Sequence, residues 1–152
     1  MAHKLVTAAR GLAATGFIFT CTILFAQPAS AAYHGCTAIW SEGVEVPHSV
    51  ATGGGSQAYT GRNTLTDVTL TVADTRADGH HVAIRLVTRK SDGSDHYWTW
   101  HHLYAGEGTS QTWDTTASDS AGIHTVWRQV GLFEGDSLIT SCVTAGESNP
   151  LW

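Results

Sequence analysis

Two neighbouring stretches alternate apolar and polar residues: TLTDVTLTVAD at 64–74 and HHVAIRLVTRK at 80–90. A period of two sends successive side chains to opposite faces of an extended strand, so each run buries one face against a second layer. Leu70 and Val72 are expected inward, Thr69 and Thr71 outward. Beyond residue 31 no apolar pattern of helical period is sustained, and Thr, Val, Trp and Tyr dominate the patterned stretches, as in strands. Further strands are expected in DHYWTWHHLY, GTSQTWDT, IHTVWRQVGLF and LITSCVT, punctuated by Asp92-Gly93 and Gly135-Asp136. Pro47 and Pro150 fall outside all of them, as ladder hydrogen bonding requires. The pattern predicts one all-β domain, an antiparallel β-sandwich of Ig-like or Greek-key type.

The first residues read differently. Lys4 and Arg10 precede the uncharged run GLAATGFIFTCTILFA, and QPASAA follows with small residues. That layout predicts a signal peptide over 1–31, cleaved after Ala31, and a secreted, extracellular chain with no membrane association after cleavage. Residues 32–152 carry six Lys and Arg against thirteen Asp and Glu, a formal charge of −7. This balance argues against nucleic acid or an anionic membrane as partner, because both reward clustered cations. Two cysteines remain after cleavage, Cys36 and Cys142, one near each end; in an oxidising compartment they are expected to form a disulfide.

Residues 32–63 are expected to form an N-terminal strand or arm around CTAIW and a Gly-rich connection, ahead of a sandwich body over 64–152. The centre of that connection, ATGGGS, predicts a mobile segment, since glycine loses the most conformational freedom on ordering.

The sharpest local signal is RKSDGSDH. Asp92-Gly93 suits a two-residue type I′ turn, which places Arg89 opposite His96, Val87 opposite Trp98 and Arg85 opposite Trp100. One face then carries Val82, Ile84, Leu86 and Thr88 with Tyr97, Thr99, His101 and Leu103, an ordinary core set. The other carries His81, Arg85, Arg89, His96, Trp98, Trp100, His102 and Tyr104. Trp, Tyr and Arg are the types that protein interfaces concentrate at their centres. The same indoles equally suit the inner face of the sandwich, with Arg85 reaching past its rim. A one-residue bulge at the turn would swap the pairing.

Reaction chemistry finds little footing. His80-His81 and His101-His102 are adjacent strand residues pointing to opposite faces, and a cross-strand set of His81 with His102 looks wide, so no metal ligands are assigned. Ala32-Tyr33-His34 would form a copper-binding amino terminus only if cleavage fell after Ala31, and chance accounts for it better. G-x-S-x-G, H-E-x-x-H and P-loop motifs are absent, so no catalytic residue and no cofactor is assigned. The expectation is a non-enzymatic protein-binding module, with Tyr33, Trp40, Arg85, Trp98, Trp100, His102 and Tyr104 as its contact residues. A carbohydrate-binding sandwich and a small secreted inhibitor of an extracellular hydrolase are the alternatives.

The ASAAYHGC entry, the block LTVADTRADGHHVAIRLVTRKSDGSDHYWTWH, the SDSAGI turn and a closing strand with one cysteine resemble small secreted β-sandwich proteins of soil actinobacteria. Within that group the chain looks most like the adaptor subunit of umbrella-shaped secreted toxin particles, over about residues 32–144. The resemblance implies scaffolding between a lectin-like subunit and a large toxin-bearing subunit, with 32–63 as an arm for a partner's cleft. Inhibitors of the actinobacterial amylase or metalloprotease type usually carry more than one disulfide, and this chain has cysteines for one.

Overall fold

A computed structural model describes Ala29–Ser30 as backbone and residues 34–43 and 48–152 in full. The expected signal peptide therefore lies almost wholly outside the described residues, as does Tyr33. The first sheet contains β1 (Ala29–Ser30), β2 (His34–Trp40), β3 (His48–Gly55), β4 (Ala58–Tyr59), β5 (Thr64–Asp74) and β9 (Ser110–Ser118). β3 and β4 share one edge of β5, β9 runs along the other, and β2 lies outside β3. β1 pairs with β4. The second sheet contains β6 (His81–Arg89), β7 (Asp95–Tyr97), β8 (His101–Leu103), β10 (Thr125–Glu134), β11 (Ser137–Val143) and β12 (Glu147–Ser148). Here β7 and β8 share one edge of β6, β10 takes the other, and β11 and β12 lie outside β10.

Every pairing among the described residues is antiparallel. The consecutive strands β5 and β6 lie in opposite sheets, as do β9 and β10; yet β5 pairs with β9 and β6 with β10. This interlocking makes the fold a two-layer antiparallel sandwich of Greek-key type.

The alternation seen in sequence decides what fills the space between the layers. Leu65, Val68, Leu70 and Val72 of β5 meet Val82, Ile84 and Leu86 of β6 and Val126, Val130 and Leu132 of β10, all buried. Cys36 and Cys142 are bonded with their Cα atoms 6.0 Å apart, joining β2 to β11. The bridge therefore ties together the edge strands of opposite sheets on one side of the sandwich.

Two local expectations are corrected. The Gly-rich stretch is no mobile connection: Gly53, Gly54 and Gly55 lie in β3, inside the sheet, and are buried. Side chains have no room there. A β-carbon at Gly53 would sit 2.6 Å from Thr71 O and 2.8 Å from Val130 Cγ2, and one at Gly54 would strike His34 O. Close approach of backbones, rather than freedom, explains the glycines. Residues 34–40, 48–55 and 58–59 are accordingly strands of the sandwich, the first of them the strand expected around CTAIW.

The second correction concerns the hairpin. Gly93 N–H donates to Lys90 O, Lys90 N–H donates to Ser94 O, and Gly93 has φ +85° while Asp92 does not enter the positive-φ region. The loop therefore has three residues, Ser91–Gly93, a turn closed by a left-handed glycine. Asp92 Oδ1 instead accepts from Ser94 N at 2.8 Å and Ser94 Oγ at 2.6 Å, the local bonding that steers aspartate into turns. Arg89 pairs with Asp95 rather than His96, a shift of one. Between Tyr97 and His101 an extra residue on the outer strand restores the expected register, and Ala83 faces His102.

Candidate functional site

The compensating shifts divide the aromatic stretch in an unforeseen way. Tyr97, directly opposite Val87, takes the outer face of the second sheet, and Trp98 turns inward. The Trp98 indole N–H donates to Thr88 Oγ1 at 3.2 Å, His96 stacks on the ring at 4.4 Å, and His96 Nδ1 lies 2.8 Å from Asp119 Oδ2. Trp98 thus belongs to the core margin, contrary to its assignment as a contact residue on the face of Arg85. Beyond the bulge the expected phase returns, and Trp100, His102 and Tyr104 join His81 and Arg85 on the outer face.

β6 and β10 supply the floor. Ala83 pairs with Gly131, and Ala83 is fully buried although it points outward, because rings cover it. A β-carbon on Gly131 would lie 2.6 Å from Leu138 Cδ1, 3.0 Å from Phe133 Cε2 and 3.3 Å from Trp100 Cη2. The two small residues therefore form a trough in which the Trp100 indole lies against Phe133, ring centroids 5.1 Å apart and nearly perpendicular.

Arg85 stands beside this trough. Its guanidinium carbon is 4.3 Å from the Trp100 ring centre and 4.4 Å from that of Tyr97, so the cation is held between two aromatic faces. Arg85 Nε and Nη2 donate to Gln129 Oε1 at 2.9 and 2.6 Å, and Gln129 Nε2 donates to Ser141 Oγ at 3.0 Å. Partial burial pulls the Arg85 pKa below its ordinary value; the group stays charged at any working pH. Farther along the face, Arg89 lies over Trp127 at 5.1 Å and pairs with Asp95 at 2.9 Å.

At the other end the histidines meet. His81 Nε2 and His102 Nδ1 are 2.9 Å apart, closer than the cross-strand offset suggested. Tyr104 lies tilted against His81, ring centres 4.4 Å apart, and Phe133 lies 5.0 Å from the His102 ring. Burial, then the neighbouring His102, lowers the His81 pKa against the opposing pull of Glu134 and Asp136. The sheet presents two tyrosine rings and a leucine to solvent: Tyr104 is 72% exposed, Tyr97 54% and Leu138 43%.

Of the residues assigned from sequence, the structure gathers Arg85, Trp100, His102 and Tyr104 on one surface. Trp40 lies elsewhere, edge-on to His80 at 4.9 Å and packed against the core. Sequence reasoning missed Tyr97, Trp127, Gln129 and Phe133. The last three share one phase of the alternating run TVWRQVGLFE, a signal that pairing β10 with β6 would have turned into a shared face. No group of three or more His, Cys, Asp or Glu placed to hold a metal ion occurs among the described residues. No family model, curated protein or solved structure matches the chain.

Proposed function

We propose that the protein is a secreted, non-enzymatic binding module whose outer β6–β10 face docks another secreted protein. The observation that carries this reading is Arg85, fixed between Tyr97 and Trp100 and anchored to Gln129, in the middle of an exposed aromatic surface. Rigid rings and a pre-aligned guanidinium lose little conformational entropy on contact, and such residues supply most of the binding energy where interfaces have been dissected. A sheet face is broad and shallow, a shape suited to a protein surface more than to a small substrate. The likeness of residues 32–144 to adaptor subunits of toxin particles adds an assembly role: linking a lectin-like to a toxin-bearing subunit.

The test compares the wild type with a Tyr97→Ala, Tyr104→Ala double variant as bait in the medium of the producing cells, with mass spectrometry of what is retained. A protein partner lost in the double variant, whose circular dichroism is unchanged, is the expected result. Retention on a polysaccharide column without any protein partner would assign the face to carbohydrate. A stoichiometric complex with one hydrolase, abolishing its activity, would assign the protein as an inhibitor.

A further inference from the structure

The sandwich has four long outer edges, and three of them are blunted. β2 and β11 lie side by side, joined by the Cys36–Cys142 bridge and by Thr140 Oγ1 donating to Ile39 O at 3.2 Å, and β11 carries an extra residue, Ile139, in its pairing with β10. The edge of the second sheet is broken into β7 and β8 by the bulge at 98–100. Bulges, short strands and covering are the means by which proteins prevent stray strand pairing.

β9 is the least protected of the four: the register shift in its pairing with β5 lies at one end, between Thr115 and Ala117, with the extra residue on β5. It runs nine residues, SQTWDTTAS, without proline, lysine or arginine, and pairs only with β5. Thr69 N–H donates across to Ser56 O and Asp74 N–H to Thr109 O, which fixes the alternation along β5. Trp113 and Gln111, opposite Leu70 and Val72, therefore use their backbone groups on β5. Thr112, Asp114 and Thr116 turn theirs to the open edge.

Beside that edge the two sheets part. A cleft of about 220 Å³ opens between β9 and the β7–β8 segment, floored by Leu70 and Leu86 and walled by Trp98, His101 and Thr115. Trp113 flanks it, 5.2 Å from His101 between ring centres. Side chains on one face of a strand added to β9 would point toward this cleft, and those on the other face would lie next to Asp114 on the solvent side of the sheet.

Charge selects the occupant. Residues 91–127, which supply β7, β8 and β9, hold five acids and no lysine or arginine; Asp95 is paired with Arg89 and Asp119 with His96, and Asp114 stands exposed on β9 itself. A second copy would set this acidic segment against itself. The geometry points to strand addition on β9 by an extended, basic segment of another protein, with apolar residues alternating toward the cleft. This edge shares no residue with the face of Arg85, so the two surfaces fail or succeed independently.

The test uses the whole chain and a capped synthetic peptide about eight residues long, alternating lysine with valine. Amide hydrogen exchange is read residue by residue. The peptide should slow exchange at Thr112, Asp114 and Thr116 about tenfold, and the same peptide with glutamate for lysine should leave those amides unchanged. Asp114→Lys, on an exposed side chain, should remove the protection, and so should Thr112→Pro, which deletes an edge N–H. Absence of protection by the basic peptide would overturn the inference, as would equal protection by the acidic one. Protection that rises with protein concentration alone would reassign the edge to a second copy of the chain.

Discussion

The guanidinium of Arg128 fills the space that a side chain at Gly55 would need: a β-carbon there would lie 2.9 Å from Arg128 Nε and would collide with Thr69 O. Arg128 points into the core phase of β10, between Val126 and Val130, and is 1% exposed. Its Nη2 donates to Gln57 Oε1 at 2.5 Å and its Nε to Thr69 O at 3.4 Å. Gln57 Nε2 donates in turn to Tyr59 Oη at 2.8 Å and to Glu147 Oε2 at 2.9 Å, and Glu147 also takes the His34 imidazole. Burial raises the Tyr59 pKa, so the phenol stays protonated. Gly55→Ala should therefore lower stability by more than about 3 kcal/mol, because backbone on one side and a buried cation on the other cannot both yield. Urea unfolding followed by tryptophan fluorescence measures it. A cost below about 1 kcal/mol would show that the sheet shifts freely at this point.

Arg128→Ala tests the same network from the other sheet. It leaves Gln57 Oε1 without its donor and a cavity in the core. The expected loss is about 2 to 5 kcal/mol, from the cavity left by a fully buried side chain and the unsatisfied Gln57 oxygen. Arg128→Met, which fills the volume but not the hydrogen bonds, should cost less than Arg128→Ala by the same measurement. If the two variants are equally unstable, the hydrogen bonds rather than the packing hold this end together.

The alternation of β5 and β6 was legible because each strand has one wet and one dry face, and a register error would expose Leu70 or Ile84. The hairpin was not. Two- and three-residue loops differ in whether Asp92 adopts positive φ, and its hydrogen bonds to Ser94 favour the ordinary region instead. The resulting shift is undone by the bulge at 98–100, so the error fell on His96, Tyr97 and Trp98 and spared Trp100, His102 and Tyr104. Gly53–Gly55 misled for a related reason. Composition reports flexibility, whereas the requirement here was room for Arg128 and for neighbouring backbone, which depends on residues distant in sequence.

On the outer β6–β10 face, ring exposure separates the proposed binding from folding. Tyr104 is largely free of the fold, and Tyr104→Ala should change stability by less than about 0.5 kcal/mol. Trp100 packs into the trough over Gly131 and holds one side of Arg85; Trp100→Ala should cost about 1 to 2 kcal/mol, less than a fully buried indole. Thermal melting of the two variants ranks them. A Tyr104 variant as unstable as the Trp100 variant would make the surface a second core rather than a contact area.

The histidines set a pH dependence. The folded protein lowers the pKa of His81, by burial first and by the nearby His102 second, against Glu134 and Asp136 and together with His80. His101 is lowered by burial and by His102. A lowered histidine is neutral in the fold when the unfolded chain has begun to take up a proton. Stability is therefore full above the ordinary value of 6.5 and declines as pH falls through it toward the folded values. The thermal midpoint should drop between about pH 7.5 and about pH 5, and the drop should shrink in His81→Gln. An unchanged slope in that variant would place the proton uptake elsewhere.

The disulfide closes a segment of 106 residues and binds the edges of both layers on one side, while the opposite side has no covalent closure among the described residues. Restricting so long a loop in the unfolded chain is worth up to about 4 to 5 kcal/mol in the chain-entropy picture. A Cys36→Ser, Cys142→Ser double variant should therefore lose about 2 to 5 kcal/mol. Because the bond acts chiefly on the unfolded state, the outer face of β6 and β10 should keep its geometry at temperatures where the variant is still folded. Near-ultraviolet circular dichroism, which reports the packing of Trp100 and Tyr97, should be nearly superimposable with the wild type below the melting transition. A changed aromatic spectrum in the folded variant would mean that the bridge positions the face as well as stabilising the sandwich.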